Sequence, residues 1–291
     1  MMSPYELLLQ PFVDFPFMQR ALAGSIALSL AACPIGVFLM LRRMSLAGDA
    51  MAHAILPGAA AGFLLFGLEI VPMTAGGLIA GLVVALSAGA VSRLTVQRED
   101  ASMAALYLMS LALGVLLVSM RGSSVDLMHV LFGTVLALDN DALILIGGIA
   151  SVTLLGLAAI WRPLVAECFD PVFLRSVNRS GPLVHLLFLM LVVLNLVAGF
   201  QALGTLLSVG LMMLPAAAAR FWTRRLELMC LTAIVIGIVS SVAGLMLSYH
   251  WSLPSGPAII LTAGVVYLAS MVLAPRGLIA GQRHPRTHRT A

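Results

Sequence analysis

Residues 18–43 read MQRALAGSIALSLAACPIGVFLMLRR. Between Arg20 and Arg42 lie 21 residues without a charge. A helix crossing the hydrocarbon core of a bilayer needs about 20 predominantly apolar residues. Arginines collect on the cytoplasmic side of such spans. The stretch therefore reads as a membrane helix running inward and closed by Arg42 and Arg43.

The pattern recurs along the chain. Further apolar windows fall at 46–67, 71–92, 102–120, 138–161, 182–200, 203–221, 228–249 and 256–274. The second and seventh spans carry polar residues or proline, so one of them is expected to be broken or re-entrant. Of 291 residues, 61% are hydrophobic and 10% charged, against about 25% charged in soluble domains. Mean hydropathy is +1.08. A disordered chain, an acidic tail protein and an ordinary cytosolic enzyme are excluded. The expected fold is an all-α polytopic membrane protein with about eight to nine transmembrane helices. Residues 1–17, interrupted by Pro4, Pro11 and Pro16, are expected to form an interfacial segment. Residues 18–275 form one transmembrane domain, and 276–291 a basic cytoplasmic tail. No cleavable signal peptide is expected at the N-terminus.

The arginines fix the orientation. With the first span running inward, alternation puts Arg42, Arg43, Arg93, Arg98, Arg162, Arg175, Arg179, Arg220, Arg224, Arg225, Arg276, Arg283, Arg286 and Arg289 inside. Only Arg20 and Arg121 lie outside. Net charge is +4, but the charges are too scattered for a nucleic-acid partner, and topology accounts for them. The chain contains no lysine, so it holds neither a Walker A motif nor a Schiff-base lysine. If the protein does energy-driven work, another subunit hydrolyses the ATP. No HExxH motif and no plausible GxSxG setting occurs. Cys33, Cys168 and Cys230 lie far apart without a CxxC pair and read as small core residues.

Asp49 is the acid that falls in or at the cytoplasmic edge of a span, and His53 follows at i+4. On a helix the two side chains share a face. A charge at membrane depth costs at least about 2.5–3.5 kcal/mol on insertion scales, so it needs a partner or a task. Oxygen plus nitrogen ligation suits zinc, manganese or iron. Two ligands are too few for a tight structural site but suit a transient one. The alternative is that Asp49 pairs with His53, or with an arginine such as Arg42, and only fastens the helix. Gly48, Ala50, Ala52, Ala54, Gly58, Ala59, Ala60, Ala61 and Gly62 make a small-residue face that admits close helix approach. Pro57 would break or bend the span.

Other polar positions carry milder expectations. Asp139 and Asp141 open the fifth span, where helix N-terminal charge explains them; they also stand as possible outer-mouth residues for cations. His185 and Asn195 lie in the sixth span, where interhelical hydrogen bonding is favoured. His129 and His250 are placed near the outer surface, the latter beside Trp251. His284 and His288 belong to the solvated tail. The stretch from Trp161 to Gly181 is the longest non-apolar one, and Asp170-Pro171 reads as an N-cap followed by proline at the first helical position. A short cytoplasmic helix near 171–178 is either a docking element for a peripheral subunit or a plain loop.

Several blocks bring in a resemblance. LRRMSLAGDAMAHAILPG (41–58), HVLFGTVLAL (129–138), FDPVFLRSVNRSG (169–181), ALGTLLSVGLMMLPAAAARFWTRRLELM (202–229) and SYHWSLPSGPAIIL (248–261) resemble the zinc/manganese family of ABC importer permeases, in order and over about residues 18–275. The resemblance implies a membrane permease subunit, not an enzyme, in the bacterial plasma membrane. The implied partners are a second permease copy, two cytoplasmic ABC ATPase subunits and an extracytoplasmic metal-binding protein. It assigns Asp49 and His53 to the transported ion. It assigns Asp170, Pro171, Phe173, Arg175 and Ser176 to coupling with the ATPase. No tightly bound cofactor is implied; the cargo is a divalent metal, zinc favoured over manganese. Permeases for iron or for a metal chelate, and a stand-alone channel or carrier, are the alternatives.

Overall fold

Inside hydrocarbon the backbone must satisfy its own N–H and C=O groups, and uninterrupted apolar runs do so as helices. The computed structural model describes residues 10–67, 69–97, 99–120, 138–169 and 181–279, and among these there are helices and no strands. In chain order they are α1 (Gln10–Asp14), α2 (Pro16–Leu41), α3 (Ser45–Ala54), α4 (Leu56–Phe66), α5 (Ile70–Leu94) and α6 (Glu99–Met120). There follow α7 (Asn140–Phe169), α8 (Gly181–Leu203), α9 (Thr205–Trp222), α10 (Leu226–Trp251) and α11 (Ser255–Leu273).

Eight helices among the described residues are long and apolar enough to cross a membrane, with α3 and α4 together counting as one. A shorter apolar stretch, Ala101–Leu117, lies in α6. The chain is a multi-pass membrane protein. Its centre is formed by α2 and α8, whose most apolar windows are 72% buried. The α2 helix packs on α7, α9 and α10. Phe38 of α2 meets Trp161 edge-on at 5.2 Å and Phe188 of α8 at 6.2 Å. The small-residue face acts as expected where α4 crosses α5. A Cβ added to Gly58 would strike the carbonyl of Gly76, and one added to Gly76 would strike that of Gly58.

The second span is the broken one. Its hydrogen-bond ladder is interrupted between Ala54 and Leu56, although Ile55 keeps right-handed helical dihedrals (φ −72°, ψ −29°). Pro57 carries no N–H, so it cannot continue the helical ladder to His53. The seventh span is continuous through Pro215 and starts after Gly204, at φ 87°. Two boundaries move. The fifth span runs on to Phe169 rather than ending near 161, because Leu164 is fully buried while Arg162 faces outward. His250 belongs to the last turn of α10, not to a loop, and its Nδ1 meets the Met246 carbonyl at 2.9 Å. Residues 170–180, which include Asp170, Pro171, Phe173, Arg175 and Ser176, lie outside the described residues. So do His129, His284 and His288.

Candidate metal site

The α3 helix supplies both candidate ligands. Its i, i+4 spacing brings Asp49 Oδ1 to 3.8 Å from His53 Nε2. That is too long for a hydrogen bond. Two donors each about 2.1 Å from one ion are about 3.0 Å apart at a right angle and about 4.2 Å apart in line. A gap of 3.8 Å falls inside that range, so both atoms can reach one ion without moving far. The Asp49 side chain is 61% exposed and that of His53 27%.

Both residues line a cavity of about 320 Å³. Its other walls are Ala52 of α3, Thr205, Leu206, Val209 and Gly210 of α9, and Ile260 of α11. The cavity is thus a mainly apolar cleft with one carboxylate and one imidazole on the α3 side and the Thr205 side chain on the α9 side. Among the described residues no third His, Cys, Asp or Glu joins them. Among the described residues the chain thus offers two metal-ligating side chains at this cleft.

The His53 ring is held from the other side by α6. Tyr107 stacks on it with ring centroids 6.1 Å apart and planes inclined by 28°. His53 Nδ1 is buried and has no hydrogen-bond partner.

Arg42 does not serve Asp49. Its Nη2 donates to Glu167 Oε1 at 2.9 Å and to His185 Nδ1 at 2.6 Å. A guanidinium only donates, so His185 accepts here. The Arg42 guanidinium also lies 5.2 Å from the centre of the Phe188 ring. Glu167 sits in the last turn of α7 between Ala166 and Cys168, and at 125 residues from Arg42 no local pattern in the sequence marks the contact. His185 and Asn195 make the interhelical contacts expected of them. Asn195 Nδ2 donates to Thr153 Oγ1 at 2.6 Å. Asp139 caps α7, its Oδ1 accepting the Ala142 N–H at 2.8 Å. Asp141 is exposed in the first turn of the same helix. Cys33 and Cys230 are buried and form no disulfide, as small core residues would, whereas Cys168 is only half-buried.

Comparison with known proteins places this architecture. The profile of the "ABC 3 transport family" matches residues 14–274. The "Manganese transport system membrane protein MntC" of Halalkalibacterium halodurans is 33% identical over 276 residues, covering 94% of this chain and 93% of its own. The "Manganese import system permease protein ScaB" of Streptococcus parasanguinis is 34% identical over 269 residues, covering 91% of this chain and 95% of its own. The "Chelated iron transport system membrane protein YfeC" of Yersinia pestis is 31% identical over 291 residues, covering 97% of each chain. In structure, a chain of PsaBC from Streptococcus pneumoniae in complex with Fab superimposes with a TM-score of 0.84 at 30% identity, covering 95% of this chain and 98% of that one. With a family profile spanning nearly its whole length, the chain belongs to the ABC 3 transport family.

Proposed function

We propose that this chain is the membrane permease subunit of an ATP-driven importer for a divalent transition metal, and that Asp49 and His53 coordinate the ion as it passes. The observation that carries the reading is the pair itself. A carboxylate and an imidazole stand 3.8 Å apart on the wall of a cleft whose other lining residues are apolar except for Thr205. Oxygen and nitrogen donors suit manganese, iron and zinc alike. Names of relatives favour manganese, in place of the zinc that the sequence resemblance leans to, and one relative named for chelated iron makes iron the runner-up. The remaining coordination positions fall to water or to the second copy of the chain that the family resemblance implies.

The motor is separate, since a chain without lysine has no Walker A motif. The reading assigns two ABC ATPases to the cytoplasmic side, docking at Asp170, Pro171, Phe173, Arg175 and Ser176. A metal-binding protein on the outer side delivers the ion, and Asp139 and Asp141 attract it at the outer mouth. The ion is cargo, and no tightly bound cofactor is involved.

The test is reconstitution with the ATPase and the binding protein. Competition among Mn2+, Zn2+ and Fe2+ for uptake identifies the cargo. Charge reversal at Arg175 should weaken ATPase association; unchanged complex formation would remove the docking assignment.

A further inference from the structure

We propose that α6 is the positioning element of the ion site, with Tyr107 setting the plane of the His53 imidazole and Ser110 and Gly114 seating the helix break beside it. This rests on the reading of His53 as an ion ligand.

Tyr107, Ser110 and Gly114 are spaced i, i+3 and i+7, so they form one stripe along α6. Each meets a successive feature of the broken span. Tyr107 stacks on His53. Ser110 Oγ donates to the Ala54 carbonyl at 3.0 Å. Gly114 lies against Pro57: a Cβ there would sit 3.0 Å from the Pro57 nitrogen and 3.3 Å from its Cα.

Physical chemistry makes each contact consequential. A metal-ligating histidine is ordinarily oriented by a hydrogen bond at its second ring nitrogen. His53 Nδ1 is buried and has no such bond. The imidazole torsion is broad and roughly two-fold, so orientation must come from packing. The flat Tyr107 ring supplies it, at a separation within the range of aromatic pairs. Pro57 interrupts the ladder at the end of α3, and the Ser110 hydroxyl bonds the last carbonyl of that helix from outside. The same helix thus fixes both the ring and the backbone that carries it.

The test is Mn2+ titration of the purified permease–ATPase complex, read by loss of the free-ion electron paramagnetic resonance signal. Loss of an outer-shell partner weakens metal binding about 10–100-fold. Tyr107→Leu should weaken Mn2+ binding by about tenfold while leaving complex assembly intact. Tyr107→Phe keeps the ring and should bind as the unaltered protein does. In a His53→Ala background, Tyr107→Leu should add no further loss. Ser110→Ala keeps the ring contact and should weaken binding less than Tyr107→Leu. Unaltered binding in Tyr107→Leu, or a defect in Tyr107→Phe as large as in Tyr107→Leu, would overturn the inference. If Tyr107→Leu does not assemble, unaltered binding in Ser110→Ala overturns the role of α6 in seating the break. Unaltered binding in His53→Ala would instead overturn the site reading beneath it.

Discussion

Arg42 and Glu167 stand 125 residues apart in the sequence and meet at 2.9 Å, with only 10% and 13% of their side chains exposed. The pair ties the turn between α2 and α3 to the last turn of α7. The α3 helix carries Asp49 and His53, so the contact fixes the entry of the helix on which the ion pair sits. Arg42 Nη1 and Glu167 Oε2 are buried without partners. The bridge is therefore incompletely satisfied, and removing one half leaves a buried charge alone.

Removing one member of a buried pair destabilises by about 3–5 kcal/mol, whereas replacing both with apolar residues is often neutral. Arg42→Met is expected to lower the melting temperature of the detergent-solubilised protein clearly. Arg42→Met with Glu167→Met should recover much of the loss. A double variant as unstable as both single ones summed would show that the pair is not coupled.

Close approach of α4 and α5 gives a second expectation. A side chain at Gly58 must displace the Gly76 backbone. Overpacking of this kind costs about 1–3 kcal/mol. Gly58→Val should reduce the folded yield and melting temperature, while substitution at Gly89, where an added Cβ meets nothing within 4 Å, should not.

Asp139 separates two roles. Its capping bond to Ala142 predicts that Asp139→Ala loses about 0.5–2 kcal/mol of stability and that Asp139→Ser retains most of it. If Asp139 also gathers cations, both variants should lose uptake at low metal concentration. If it only caps, Asp139→Ser should transport normally.

Asn195 and Thr153 offer a smaller test. Side-chain hydrogen bonds between membrane helices average about 0.6 kcal/mol in double-mutant cycles. Asn195→Leu and Thr153→Val should each destabilise mildly, and the coupling between them should be of that order. A coupling near zero would mean the 2.6 Å contact contributes nothing.

Much of this architecture is legible in the sequence for physical reasons. Apolar length records the bilayer directly, so the positions of the spans can be read from the sequence. The break near Pro57 follows from its missing N–H, and the pairing of Asp49 with His53 from helical spacing. Contacts between distant segments leave no local mark. Nothing near Arg42 says that Glu167, rather than Asp49, takes its charge. Nothing near His53 says that Tyr107 covers its ring. The extension of α7 to Phe169 was hidden for the same reason, because Leu164 is buried by other helices and not by its neighbours in sequence.

If Asp49 and His53 handle the ion, 54Mn2+ uptake into proteoliposomes depends on both side chains. The vesicles hold the permease with its ATPase and are supplied with the binding protein and ATP. Asp49→Ala and His53→Ala should each nearly abolish uptake while the complex still assembles. Full uptake in both variants would contradict the account.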